Sequence, residues 1–382
     1  NQIKKYLTSE FLKILRYAVK NVDFYKKYFK KNKLKLKNFK SLKDIIKLPI
    51  IDKKVIQENP NDFISNKYQT KNVFSRTTGG TTGTPLKVFY DKQHKCKDLA
   101  NTFFYMSIAG NLDPLKYKNI RLYGDKVKVN LGKKRFWKKE NDLKYIYSTY
   151  HITDKNIKYY YEHLIDFKPD YIHGRPSSII LFCESLERMK LKINFRIKSI
   201  FLDGEVLNKK QKKNIEKTLN SKVFLTYGHT EGALLGFSCG YNDKIHFAHQ
   251  VGFVELINKR KNKNIGEVVV TGFNNKVMPL IRYNTNDLAK VSNKICRCKR
   301  NSLCVSEILG RTNSYVIDRN NNKSLIAPVI FNYDEIDWSV AKRFKFVQNK
   351  IGKLILYVDL INRSDREKIN IIVKKIKKNV IK

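Results

Sequence analysis

Thr77-Thr78-Gly79-Gly80-Thr81-Thr82-Gly83-Thr84-Pro85-Leu86-Lys87 is the stretch on which the fold reading turns. Three glycines let the backbone bend so that its N–H groups converge on an anion. Five threonines add hydroxyl donors. The combination suits a polyphosphate. It is not the Walker pattern, because the Gly-Lys-Ser/Thr ending is absent. Standing alone, such a loop reads equally well as a plain hairpin.

The flanking segments alternate in type. Val73–Phe74 leads into the loop and Leu86–Tyr90 leaves it as a strand. Residues 156–168 carry a helical stripe, Tyr171–Ile172 is a short strand, and residues 176–190 form a helix opened by Pro176. Lys198–Leu202 is a buried strand running into Asp203-Gly204-Glu205. A helix follows over residues 207–219, then a strand over Val223–Tyr227. Strand, helix, strand in this rhythm predicts an α/β fold with a parallel sheet. Upstream, Phe11, Leu15, Ala18, Val22, Tyr25 and Phe29 mark one stripe of a basic amphipathic helix. Such a stripe packs on its own domain more often than on a membrane surface. Beyond about residue 245 the strands shorten, at Phe253–Ile257, Glu267–Phe273 and Leu288–Val291, like a small barrel or sheet. Residues 312–382 read as a separate unit: strands at Phe344–Gln348 and Leu354–Asp359, then a helix begun by Ser364 with Glu367 as its capping-box partner.

Four segments occur in order: the Thr/Gly loop, Tyr227-Gly228-His229-Thr230-Glu231, Pro279-Leu280-Ile281-Arg282-Tyr283-Asn284-Thr285-Asn286-Asp287, and Gly310-Arg311. Together they resemble the adenylate-forming superfamily, and within it the phenylacetate–coenzyme A ligase-like branch with its capsule-biosynthesis (CapK-type) members. The resemblance spans about residues 1–360. It implies a large N-terminal α/β domain of stacked sheets with a small β-barrel over residues 1–310, and a small, shortened α+β domain over residues 311–382. It implies ATP-dependent activation of a small-molecule carboxylic acid to an acyl-adenylate. The acyl group then passes to coenzyme A, an amine or a sugar hydroxyl, a chemistry that in CapK-type members points to surface polysaccharide.

The resemblance also assigns residues. Thr78, Gly79, Gly80, Thr81, Thr82 and Gly83 would hold the ATP phosphates, and Gly204-Glu205 would lie along the adenine. Tyr227 and Gly228 would flank the adenine, Thr230 would touch the α-phosphate, and Glu231 would help hold Mg²⁺. Asp287 would accept hydrogen bonds from the ribose hydroxyls, and Arg311 would bind ribose or phosphate near the hinge. These roles suit the chemistry, since charge at a transferring phosphoryl group is met by a metal and fixed donors. Each also has a bland reading: Glu231 as a helix cap, Asp287 as a turn residue, Arg311 as a surface partner.

There are departures. Gly79 stands where many relatives carry Ser. Arg282-Tyr283-Asn284-Thr285-Asn286-Asp287 lacks a second Arg and a Gly, although Asn286 tolerates the left-handed backbone a Gly would favour. Thr312-Asn313-Ser314 follows Gly310-Arg311 without the usual Asp. Gly352-Lys353 falls in a hairpin, too early to be the Gly-Lys pair with which relatives end. This motivates a further reading, a nucleotide-binding fold without chemistry.

Cys239, His246, Cys296 and Cys298 are candidate ligands of a structural Zn²⁺, with Cys304 and His249 in reserve. Several relatives carry a comparable set. The bland reading is unrelated thiols. His151, His173 and His229 also stand out, the last as a lining of the acyl pocket. Phe136-Trp137 in a basic run suits a partner contact or a loop anchor.

Composition bounds the rest. The chain has 382 residues, 42% hydrophobic and 12% aromatic, enough for a buried core and unlike a disordered chain. Lys and Arg number 78 against 34 acids, a net charge of +44. The lysines are scattered through every segment, which favours compositional bias over a nucleic-acid or anionic-lipid scaffold. Six cysteines in this length make no disulfide framework. No apolar run reaches a membrane span and no signal peptide shows, so a cytoplasmic protein is expected.

Overall fold

The computed structural model describes residues 2–68, 73–78, 86–125, 127–257, 264–292, 296–311, 315–317, 319, 323–325, 341–360 and 366–380. The chain divides into two compact units, Asn1–Glu205 with Lys213–Ile308, and Val206–Lys212 with Leu309–Lys382.

In chain order the helices are α1 (Gln2–Asn21), α2 (Asp23–Lys31), α3 (Lys53–Glu58), α4 (Lys92–Gly110), α5 (Ile157–Phe167), α6 (Pro176–Arg188), α7 (Lys209–Thr218) and α8 (Arg366–Val380). The strands are β1 (Phe74–Thr77), β2 (Lys87–Tyr90), β3 (Asn119–Leu122), β4 (Trp137–Asn141), β5 (Lys144–Tyr147), β6 (Tyr171–Gly174), β7 (Ser199–Asp203), β8 (Val223–Gly228) and β9 (Leu235–Ser238). They continue as β10 (Ile245–Phe247), β11 (Gly252–Ile257), β12 (Ile265–Gly272), β13 (Tyr283–Val291), β14 (Cys304–Arg311), β15 (Tyr315–Ile317), β16 (Lys323–Leu325), β17 (Ala341–Lys350) and β18 (Lys353–Leu360).

Twelve strands join in one sheet, in the order β11-β12-β13-β14-β10-β9-β8-β7-β6-β3-β5-β4. From β5 to β8 the pairs are parallel, with Ile172 beside Ile200 and Leu202 beside Leu225. From β8 to β9 the pairing turns antiparallel. The strands that resemble a small barrel are thus continuous with the parallel half. Ladder hydrogen bonds along β9 leave no break at which they could separate.

β7 is buried on both faces, as a strand between helical layers must be. On one face α5 and α6 bury Leu164 and Phe182 completely. On the other, Met106 of α4 and Leu112 just beyond its end pack against Tyr171, Phe201 and Phe224. The periodicity analysis does not find α4, because its apolar residues form no single stripe. Asp91 caps it, accepting from the His94 N–H at 2.7 Å.

The N-terminal stripe is two helices, not one. Val22 is extended (φ −126°) and bridges to Ser65. All six stripe residues are buried in the core of their own unit. Tyr25 donates to the Pro279 carbonyl and accepts from the Ile281 N–H, both at 3.0 Å, tying α2 to the segment before β13. Phe136 and Trp137 are anchors: Phe136 stacks on Tyr160 and Trp137 packs 4.2 Å from the His163 ring.

In the second unit, β17 and β18 form a hairpin turned at Gly352, whose φ of +72° favours glycine. Ser364 lies outside the described residues. No helix among the described residues is long and apolar enough to cross a membrane.

Candidate active site

The carboxyl end of β8 and a bulge in β13 build the site. Val269 pairs with Asn284 and Glu267 with Leu288, so Thr285, Asn286 and Asp287 together face Val268. This excess lifts Asp287 out of the ladder. Asn286 makes the bend in the left-handed region (φ +60°), with its N–H on the Asn284 side-chain oxygen at 2.9 Å. The strand expected from Leu288 therefore begins at Tyr283, interrupted by this bulge.

Tyr227 donates its hydroxyl to Asp287 Oδ2 at 2.7 Å. Two residues of separate sequence motifs are thereby joined directly. Glu231 is 8% exposed, and protein groups engage both of its oxygens. Tyr283 donates to Oε1 at 2.6 Å, and His229 Nδ1 lies 2.8 Å from Oε2. Burial pushes the Glu231 carboxyl up, but the charge and hydrogen bond of His229 and the Tyr283 hydroxyl outweigh it and hold it down, at about 2. Glu231 is therefore a carboxylate at neutral pH, a hard ligand suited to Mg²⁺. Thr230 is half-buried and Gly228 exposed at the same edge.

Thr78 closes the base of the Thr/Gly loop. Its N–H donates to the Leu86 carbonyl, and its hydroxyl accepts from the Leu86 N–H, both at 2.9 Å. Gly79, Gly80, Thr81, Thr82 and Gly83 lie outside the described residues. The Glu205 carboxylate accepts from the Ser177 N–H at 2.8 Å and the Ser177 hydroxyl at 2.9 Å, capping α6. Gly204 carries a φ of +80°. Arg311 ends β14 and belongs to the second unit.

Three groups escaped the sequence reading. Tyr283 lies inside the third motif, where the local sequence gives its hydroxyl no partner. Arg282, buried, forms a two-pronged pair with Glu255 at 2.9 and 3.1 Å and donates to the Leu48 carbonyl at 2.7 Å, which fixes the start of β13. His94, buried on α4, abuts Gly232, and its Nδ1 has no hydrogen-bond partner among the described residues. Burial pulls its pKa down.

A second cluster gathers Cys239, His246, Cys296 and Cys298, whose ligand atoms all lie within 4.8 Å of one another. The Cys239 and Cys296 sulfurs are 3.5 Å apart, and His246 Nε2 is 3.5 Å from the Cys298 sulfur. Ser302 Oγ sits 3.0 Å from His246 Nδ1 and aims the ring. Three thiols and one imidazole are the donor set of a closed tetrahedral zinc site. Cys304 and His249 are not part of this cluster.

No family model matches the chain. It is 27% identical to protein CapK of Staphylococcus aureus over 384 aligned positions, covering 99% of this chain and 82% of that protein. It is 22% identical to a phenylacetate-coenzyme A ligase of Thermus thermophilus, covering 81% of this chain and 70% of the other. Among solved structures, a 2-hydroxyisobutyryl-CoA ligase in its postadenylation state superposes with a TM-score of 0.72 at 17% identity, covering 98% of this chain and 83% of that one. The fold is therefore shared along almost the whole length. The chain is thus similar along almost its whole length to CapK and along about four fifths of it to a phenylacetate-coenzyme A ligase, and it has the fold of a CoA ligase.

Proposed function

We propose that the protein is an AMP-forming acyl ligase. It activates a carboxylic acid with ATP and passes the acyl group to an acceptor, coenzyme A or an amine or hydroxyl of a surface polysaccharide precursor. The observation that carries this is the pair of hydrogen-bonded groups Tyr227–Asp287 and His229–Glu231–Tyr283, set where β8, the last of the parallel strands, ends.

In this reading the carboxylate oxygen of the acid attacks the α-phosphorus of ATP, and the bond to pyrophosphate breaks. The loop from Thr78 to Gly83 gives N–H and hydroxyl donors to the phosphates. Thr230 donates at the α-phosphate. Asp287, steadied by Tyr227, accepts from the ribose hydroxyls. Glu231, kept ionised, holds Mg²⁺, which neutralises phosphate charge when bound. Gly204 and Gly228 leave room beside the base, and Arg311 serves ribose or phosphate. In this reading the chain divides into a large domain over residues 1–310 and a small one over residues 311–382. The Cys239, His246, Cys296 and Cys298 cluster holds a structural Zn²⁺.

The test is acid-dependent exchange of pyrophosphate into ATP across aryl, fatty and amino acids, with hydroxylamine to trap acyl-adenylate. Exchange that depends on one acid class is expected. Silence across the panel, together with failure to bind MgATP, overturns the assignment.

A further inference from the structure

His173, Asp203 and Tyr123 form a linked cluster that the proposed adenylation residues do not include. His173 lies in β6 and Asp203 ends β7, two adjacent parallel strands, while Tyr123 directly follows β3. Asp203 in turn pairs with Thr226, the residue before Tyr227. The cluster therefore sits on the same carboxyl edge as the proposed nucleotide site. Along β6 and β7 the alternation places His173 with Tyr171, and Asp203 with Phe201, on the face that α4 covers.

The hydrogen bonds fix the chemistry. His173 Nε2 lies 2.9 Å from Asp203 Oδ2, and the Tyr123 hydroxyl donates to Oδ1. A carboxylate only accepts, so Nε2 of His173 carries the proton. In the neutral ring Nδ1 is then an acceptor, and it has no protein partner among the described residues. The guanidinium groups of Arg121 and Arg175 lie 4.4 and 5.0 Å from the Tyr123 ring centre and brace it. The His173 and Asp203 side chains are 19% and 18% exposed, reachable yet held.

We propose that His173 Nδ1 accepts a hydrogen bond from a hydroxyl or amino group of a substrate, with Asp203 and Tyr123 as positioning residues. This rests on the adenylation reading and deepens it: the enzyme selects substrates that carry such a donor. The donor sits either on the acid or on the acyl acceptor.

The experiment compares wild type, His173→Ala and Asp203→Asn on paired probes, namely phenylacetate with 4-hydroxyphenylacetate, and butyrate with 3-hydroxybutyrate and 3-aminobutyrate. Asparagine keeps the shape of Asp203, but its amide donates to Nε2 and moves the ring proton to Nδ1, turning the acceptor into a donor. Pyrophosphate exchange is read without acceptor, and hydroxamate formation with hydroxylamine. A fall of at least tenfold in the donor-to-plain kcat/KM ratio for exchange, in both variants, supports the proposal and places the donor on the acid. An unchanged exchange ratio with hydroxamate formation slowed at least tenfold supports it and places the donor on the acceptor. Equal loss on every probe in both assays, or no loss, overturns it, because the pair then merely ties β6 to β7. Absence of exchange by wild type with all probes is a separate result, which removes the adenylation reading and this inference with it.

Discussion

Gly232 follows the Glu231 carboxylate with a φ of +66°, and a Cβ there would lie 2.7 Å from His94 Nε2. Gly232→Ala therefore meets both backbone strain and a buried ring. An unfolding free energy lower by about 1–3 kcal/mol is expected, read by urea titration. Tyr283→Phe acts on the same carboxylate without changing its shape. It leaves Glu231 Oε1 without its donor at a cost of about 1–3 kcal/mol, and exchange should fall at least tenfold. Asp287→Ala should lower exchange by about two decades. At this scale the motif residues were legible, because each belongs to a short run whose chemistry is local. The partners were not. Tyr283 and Glu231 are 52 residues apart, and Tyr227 and Asp287 are 60. No spacing rule joins residues that meet only because β13 and the end of β8 come together in the folded sheet.

Legibility among the elements followed burial pattern. β7 and β8 are short apolar runs and α6 opens with Pro176, so each was readable. α4 was not, since it has apolar contacts on several sides, and the β4–β5 hairpin is mostly half-exposed. That hairpin holds a titratable group. His163 of α5 is packed among Trp137, Tyr145 and Phe167, with Nδ1 2.9 Å from the Tyr147 hydroxyl. Burial pulls its pKa down to about 4, with Asp166 opposing and Arg135 adding. Because the folded pKa lies below the unfolded value near 6.5, the unfolded chain binds more protons between the two. The stabilisation is full above about pH 6.5 and is lost as pH falls towards about 4. His163→Phe should flatten the fall of the melting temperature between pH 6.5 and 4.5, and an unchanged slope would refute this role. The Cys239, His246, Cys296 and Cys298 cluster joins β9, β10 and the segment after β13. One zinc per chain by metal analysis is expected, with a lower melting temperature after chelation and in Cys298→Ser.

At the scale of the molecule the excess of 44 positive charges is the dominant electrostatic fact. Many acids are already paired locally, as Lys13 with Glu10, Lys47 with Asp44 and Lys139 with Asp142, each three residues apart. Such exposed pairs contribute about 0–1 kcal/mol each and weaken with salt. The uncompensated lysines repel one another, which disfavours the compact state. The two effects respond to salt in opposite directions, so salt decides which is larger. Between about 0.01 M and 0.15 M the screening length shortens from about 30 Å to about 8 Å. That leaves a contact pair largely intact while removing repulsion summed over the whole surface. The melting temperature should therefore rise with sodium chloride over this range, and a fall would mean that local pairs outweigh the net charge. The same titration bears on the scattered-lysine reading. Repulsion spread over the molecule is relieved by a simple monovalent salt. A basic face dedicated to a polyanion would instead be relieved by short duplex DNA at far lower ionic strength. Stabilisation by sodium chloride with none from micromolar duplex is the outcome expected of a charge that is compositional and not a binding surface.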